Sequence, residues 1–107
     1  MERFSCPYLK GVVELTEERR RHIAEQHPDL LPDYHTKIGE TLADPDLVRM
    51  SSRFGSARLF SRWYRDVREG KYVVVVVVSE QAPGRHWVIT AYMARKLAQG
   101  EVEWKKS

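Results

Sequence analysis

Residues 71–79, KYVVVVVVS, decide how the rest of the chain is read. Successive residues of an extended strand point to opposite sides, so six consecutive valines make both faces apolar. The run is also far short of the ~18 apolar residues of a membrane span. A strand of this kind belongs inside a sheet, with a helix on one face and a second cover on the other.

Its neighbours follow from the punctuation around it. DLVRMSS (46–52), ARLFSRWYR (57–65) and RHWVITAYMA (85–94) read as strands, separated from one another and from the valine run by RFGS, REGK and QAPGR. Each connection carries a glycine where a tight turn is needed, and short connections imply antiparallel neighbours. RHWVITAYMA has unequal faces. Period-two alternation sends Trp87, Ile89, Ala91 and Met93 one way, towards helices, and His86, Val88, Thr90 and Tyr92 the other. After Ala94, RKLAQGEVEW predicts a brief helical turn, a stop at Gly100 and a short last strand ending at Trp104.

Upstream of the strands the period becomes helical. VVEL (12–15) is either a short strand or an apolar lead-in, and Thr16 is placed to cap a helix over 17–26, with Glu17 and Glu18 meeting its positive end. Pro28 stops it. Its inward stripe is poor, because only Leu15 and Ile23 are good core residues. A second helix follows HPDLLPD, with Leu31, Tyr34, Ile38, Thr41 and Leu42 recurring at helical spacing until ADPD ends it. The expected architecture over residues 1–107 is therefore one α+β domain, two N-terminal helices packed on a four-stranded antiparallel sheet.

Composition narrows the chemistry. With 42% hydrophobic and 31% charged residues the chain is globular in composition, and its start, MERFSCPYLKG, lacks a signal-peptide pattern, so a cytoplasmic protein without a membrane partner is expected. Cys6 is the sole cysteine, which excludes an internal disulfide. Twelve of the eighteen basic residues are arginine, and Arg49, Arg53, Arg58, Arg62, Arg65 and Arg68 share a twenty-residue stretch with one acid, Asp66. Arginine's planar fork suits phosphate, so the bias points to an anionic partner. Solvated strand faces would give the same count. His22 and His27, five residues apart, sit about 140° apart on a helix that proline then breaks. They make no helical metal pair, and neither a metal nor another cofactor is expected.

In ARLFSRWYR, Arg58, Phe60, Arg62 and Tyr64 share a face. If that face looks the same way as Thr90 and Tyr92, one concave surface carries Arg62, Tyr64, Thr90 and Tyr92. Such a set suits RNA cleavage, because RNA brings its own nucleophile in the 2′-hydroxyl. The protein then moves protons and steadies charge on phosphorus, for which histidine, arginine and hydroxyl donors suffice. Each residue also has a plain reading: tyrosine and threonine are common in strands, and Arg62 has Asp66 and Glu69 within reach.

LTEERRRHIAEQHPDL, ADPDLV, an arginine- and tyrosine-bearing strand, a valine-rich strand and WVITAYMARKLAQGEVEW together resemble the phage-type branch of the barnase, EndoU, colicin and RelE-like nuclease superfamily over roughly residues 14 to 104. Arg19, His22, Ile23, His27 and Pro28, with Thr90 and Tyr92, carry the resemblance. It implies helices on a four-stranded antiparallel sheet and a metal-independent endoribonuclease, a toxin-like or phage-related hydrolase. It implies His22 as the chief acid/base, Arg62 or Arg58 on the phosphate, and Thr90 with Tyr92 completing the catalytic set. Arg19, His27, Arg58 and Tyr64 are the expected substrate-binding residues. RNA is the expected partner of a monomer or weak homodimer, with a cognate antitoxin or immunity protein as the second partner class. Two rival readings use the same scaffold: an RNA-binding module that stacks bases on Trp63 and Tyr64, and a protein-interaction domain whose valine strand is covered by another chain.

Overall fold

The computed structural model describes residues 1–53, 56–80, 84–97 and 100–107. The valine strand, β5 (Lys71–Glu80), lies between β4 (Arg58–Tyr64) and β6 (Arg85–Ala94), antiparallel to both, and β3 (Leu47–Met50) is antiparallel to β4. These strands were expected, but the sheet extends beyond them on both sides. β1 (Glu2–Cys6) and β2 (Gly11–Leu15) form an antiparallel hairpin, β2 lies parallel to β6, and β7 (Glu101–Lys105) adds to β3. The order is β1-β2-β6-β5-β4-β3-β7. The expectation of two N-terminal helices on a four-stranded antiparallel sheet is therefore corrected to a seven-stranded mixed sheet with two short helices, α1 (Glu17–Gln26) and α2 (His35–Ala43).

The physical reason lies in how little apolar signal the outer strands carry. β1 turns only Phe4 and Cys6 inward, opposite Val13 and Gly11 of β2. A 3-10 turn over Pro7–Leu9 and Lys10 in the left-handed region, φ 55°, reverse the chain between them. β7 is exposed along its whole length. It is held by pairing with β3, by Tyr8 and Arg58 on Glu103, and by Lys106 on Asp44. The expected turns RFGS and QAPGR and the helical turn after Ala94 fall partly on residues 54–55, 81–83 and 98–99, outside the described residues. Arg95 and Lys96 form a bend.

The helices start and stop where local chemistry directs. Thr16 Oγ1 accepts the Arg19 N–H at 3.2 Å, satisfying one of the free donors at the α1 terminus. His27 closes α1, its N–H bonded to Ile23 O, just before Pro28. Only Ile23 of α1 is buried. α2 contributes Ile38, Thr41 and Leu42 and crosses β1 so closely that a Cβ on Gly39 would stand 2.9 Å from the Phe4 ring.

The valine strand divides its side chains between two clusters. Val73, Val75 and Val77 join Phe60, Val48, Val88 and Ala91 beneath Ile23, Ile38 and Leu42. Val74 and Val76 face the other way with Ala57, flanked by half-buried Leu59, Tyr72, Val78, Ile89, Tyr92 and Leu97. Each fully buried valine contributes roughly 1.5–3 kcal/mol of transfer free energy. Val74 and Val76 are 0% and 4% exposed within this chain alone, so the second face is closed at its centre without a partner. Among the described residues no helix is long and apolar enough to cross a membrane.

Candidate active site

One irregularity in β6 sets the site. Val77 pairs with Val88, but Val76 pairs with Thr90, leaving Ile89 as an extra residue in the ladder. A bulge of this kind re-phases the strand. Val88, Ala91 and Met93 turn under the helices, whereas Ile89, Thr90 and Tyr92 turn to the opposite face. Strict alternation assigns Trp87 and Ile89 to the helical side and His86 and Val88 to the other, and the bulge reverses these four. Trp87 pairs with Val78 on the second face, and His86 Nδ1 meets Ser79 Oγ at 2.7 Å.

Register then carries one row straight across four strands: Arg49, Leu59, Val76 and Thr90 are successive partners. At the usual interstrand spacing the row spans about 14 Å. It floors a cavity of about 410 Å³ that Met50, Ser51, Ser52, Arg53, Tyr92 and Gly100 help to line. Gly100 comes close to the floor, since a Cβ there would sit 3.2 Å from Met50 O. Arg49 is 3% exposed, so its charge lies in a wall of low polarisability, where attraction for an anion is stronger than in open water. Arg53 is exposed at the same cavity.

The histidine that meets a residue of this cavity is His27. As the residue closing α1 it projects past the end of the helix, and its ring lies 5.9 Å from that of Tyr92, tilted by 39°. None of His27, His22 and Arg19 lines the cavity itself; His22 sits on the exposed side of α1 and Arg19 in its first turn, and among the described residues neither has a ring or hydrogen-bond contact with a cavity residue, as His27 has with Tyr92. Of the two histidines named from the sequence, His27 is the one in ring contact with Tyr92.

The β4 residues are not where that reading needs them. Arg62 pairs with Val73 and Tyr64 with Lys71, on the helix-covered face, so neither shares a surface with Thr90 and Tyr92. Tyr64 is 5% exposed and its hydroxyl meets Thr41 Oγ1 at 3.0 Å and Lys37 O at 3.3 Å. Burial pushes the Tyr64 phenol above its usual range, and the Thr41 hydrogen bond offsets that only in part. Its part is to fasten α2 to the sheet. Arg62 lies 5.2 Å over the Tyr64 ring and donates to Glu40 O, and Arg58 donates to Glu103 at 2.7 Å. All three are engaged in holding the fold.

Thr90 and Tyr92 therefore line a cavity whose cations are Arg49 and Arg53, and His27 adjoins it through the Tyr92 ring. Both arginines belong to the cluster visible in sequence, but the face that Arg49 occupies follows from its pairing with Leu59 of β4. A second cavity, about 320 Å³, is lined by Arg3, Val12, Glu14, Gly84, Arg85 and His86, where Glu14 already pairs with both arginines. Among the described residues no three histidine, cysteine or carboxylate side chains gather into a metal-binding group. No protein family, curated protein or solved structure matches this chain.

Proposed function

We propose that the chain is an endoribonuclease, toxin-like or phage-related, that cleaves cytoplasmic RNA by attack of its own 2′-hydroxyl without a metal. The observation that carries this reading is Tyr92, which lines the Arg49-walled cavity together with Thr90 and whose ring lies 5.9 Å from that of His27. In the reaction, the 2′-oxygen bonds to the adjacent phosphorus as its proton leaves to a base, and the 5′-oxygen departs with a proton from an acid. The products are a 2′,3′-cyclic phosphate and a 5′-hydroxyl. His27 is the proton-transfer group, Arg49 and Arg53 hold the phosphate oxygens, and the hydroxyls of Thr90 and Tyr92 donate to the charge that develops on them. The likeness of the HP and VITAY segments to the barnase, EndoU, colicin and RelE-like nucleases supports the same chemistry. An antitoxin or immunity protein is the partner such an enzyme needs in its own cell.

The test is cleavage of mixed RNA by pure protein in EDTA, beside His27→Ala, His22→Ala and Tyr92→Phe. Cleavage to cyclic-phosphate ends by the wild type and by His22→Ala is expected, with loss in His27→Ala. Intact RNA with the wild type refutes catalysis, and salt-sensitive binding without cleavage selects the RNA-binding module instead. A dead His22→Ala beside a live His27→Ala returns the acid/base role to His22.

A further inference from the structure

Trp63 is 43% exposed yet held in place. Its ring stands edge-on to Tyr72, with centroids 4.8 Å apart and planes at 68°. The Cζ2 end of its ring lies against Gly70, whose φ of +107° suits glycine and whose hypothetical Cβ would lie 2.5 Å from Trp63 Cζ2. A large indole is thus kept both rigid and accessible. Register places it on the face of the cavity: Trp63, Tyr72 and Ala94 are successive partners, one two-residue step beyond the row of Ser61, Val74 and Tyr92. That step is roughly 7 Å along the strand, a distance that one nucleotide of extended single strand covers. Exposed Arg65, Arg68, Arg95 and Lys96 flank this end of the face, against Asp66 and Glu69.

We infer that Trp63 and Tyr72 form a stacking platform for the base of a nucleotide next to the scissile phosphate, and that the substrate is single-stranded RNA laid from the cavity towards the 65–70 turn. This rests on the ribonuclease reading above. Bases of a duplex are stacked on one another and closed to a side chain, whereas those of a single strand can be splayed onto an aromatic ring. The flanking cations supply the complementary charge for the backbone.

The probe is a labelled 2′-O-methyl heptanucleotide, which lacks the nucleophile and stays intact, followed by fluorescence anisotropy at low salt. Its versions with one abasic site, scanned along the strand, and its duplex with a complement complete the set. With the wild type, one abasic position is expected to weaken binding on the order of tenfold, and the duplex is expected to bind less tightly than the strand. Trp63→Ala should weaken the intact strand by a similar factor and erase the dependence on that position, while Trp63→Phe keeps most of the affinity. Trp63→Leu, which preserves an apolar contact with Gly70, serves if the alanine variant does not fold. The inference is overturned if folded Trp63 variants bind like the wild type, if every abasic position matters as much without the indole, or if duplex and strand bind alike. Trp63-dependent binding by a protein that leaves RNA uncut keeps the platform and ends the nuclease reading. Cleavage with binding indifferent to Trp63 does the reverse.

Discussion

The two faces of β5 are built from the same residue and do different things. On one, Val73, Val75 and Val77 lie beneath two helices with Phe60 and Val88, and the polar groups present are used up on the fold, as Tyr64 is on Thr41. On the other, Val74 and Val76 form an apolar floor beside a cavity that holds Arg49, Thr90 and Tyr92. The contrast teaches that apolarity along a strand locates the middle of a sheet and leaves open which side carries chemistry. Here the lining of each side is decided by the neighbours, β3 and β6.

Substitutions can break that division. Removing the proposed acid/base group should have the largest effect: His27→Ala is expected to lower RNA cleavage by about 10²–10⁴-fold, with the melting temperature close to that of the wild type, because His27 is half-exposed at a helix end. A comparable loss of stability alongside the loss of cleavage would mean that His27 braces α1 instead. On the helical face, Phe60→Ala should cost about 3–5 kcal/mol in denaturant unfolding, since Phe60 is fully buried. Tyr64→Phe should cost about 1 kcal/mol and leave cleavage unchanged; a large fall in rate at unchanged stability would put Tyr64 back among the site residues.

The smallest expected effect concerns the clasp on β7. Burial pushes the Glu103 carboxyl up, but hydrogen bonds from Tyr8 and Arg58 outweigh it and hold it below the usual glutamate range. Folded Glu103 therefore takes a proton less readily than unfolded Glu103. Its contribution is complete above the ordinary glutamate value and is lost as pH falls through the lowered one. Tyr8 behaves in the opposite sense: burial and the bond to Glu103 push it up to about 12, so its contribution is complete below the ordinary tyrosine value and fades as pH rises through about 12. Glu103→Gln should flatten the acid side of a melting-temperature profile by an amount equivalent to under about 1 kcal/mol. An acid limb identical to that of the wild type would show that the clasp adds nothing.

Much of this was legible in the sequence, for local reasons. Thr16, the glutamates after it and Pro28 fix α1 to the residue, and the valine run and its glycine-bearing neighbours mark β3 to β6. Thr90 and Tyr92 turn to the face expected of them. What could not be read depended on register. A bulge adds one residue without altering composition, so nothing in HWVIT announces that Val88 and Ile89 exchange faces. The same holds for Arg49: its strand is short and its face follows from pairing with Leu59. β1 was missed because Phe4 and Cys6 are too few apolar residues to show a period; β7 was expected as a short last strand ending at Trp104, but nothing in Val102 and Trp104 placed it beside β3.

The parallel contact between β2 and β6 has a consequence for the order of folding. β3 to β6 follow one another after connections of only a few residues, whereas Val13 must find His86 from almost the far end of the chain. Closing so long a loop is entropically expensive, and contacts of that kind tend to form late. α1 belongs to the connection that this contact closes, so His27 is expected to reach Tyr92 only when the hairpin docks. Pulsed hydrogen exchange should find the amides of β4 and β5 protected before those of β2. On the proposed ribonuclease reading, a chain that leaves the ribosome with His27 still unplaced would spare the RNA around it until the last step of its own assembly.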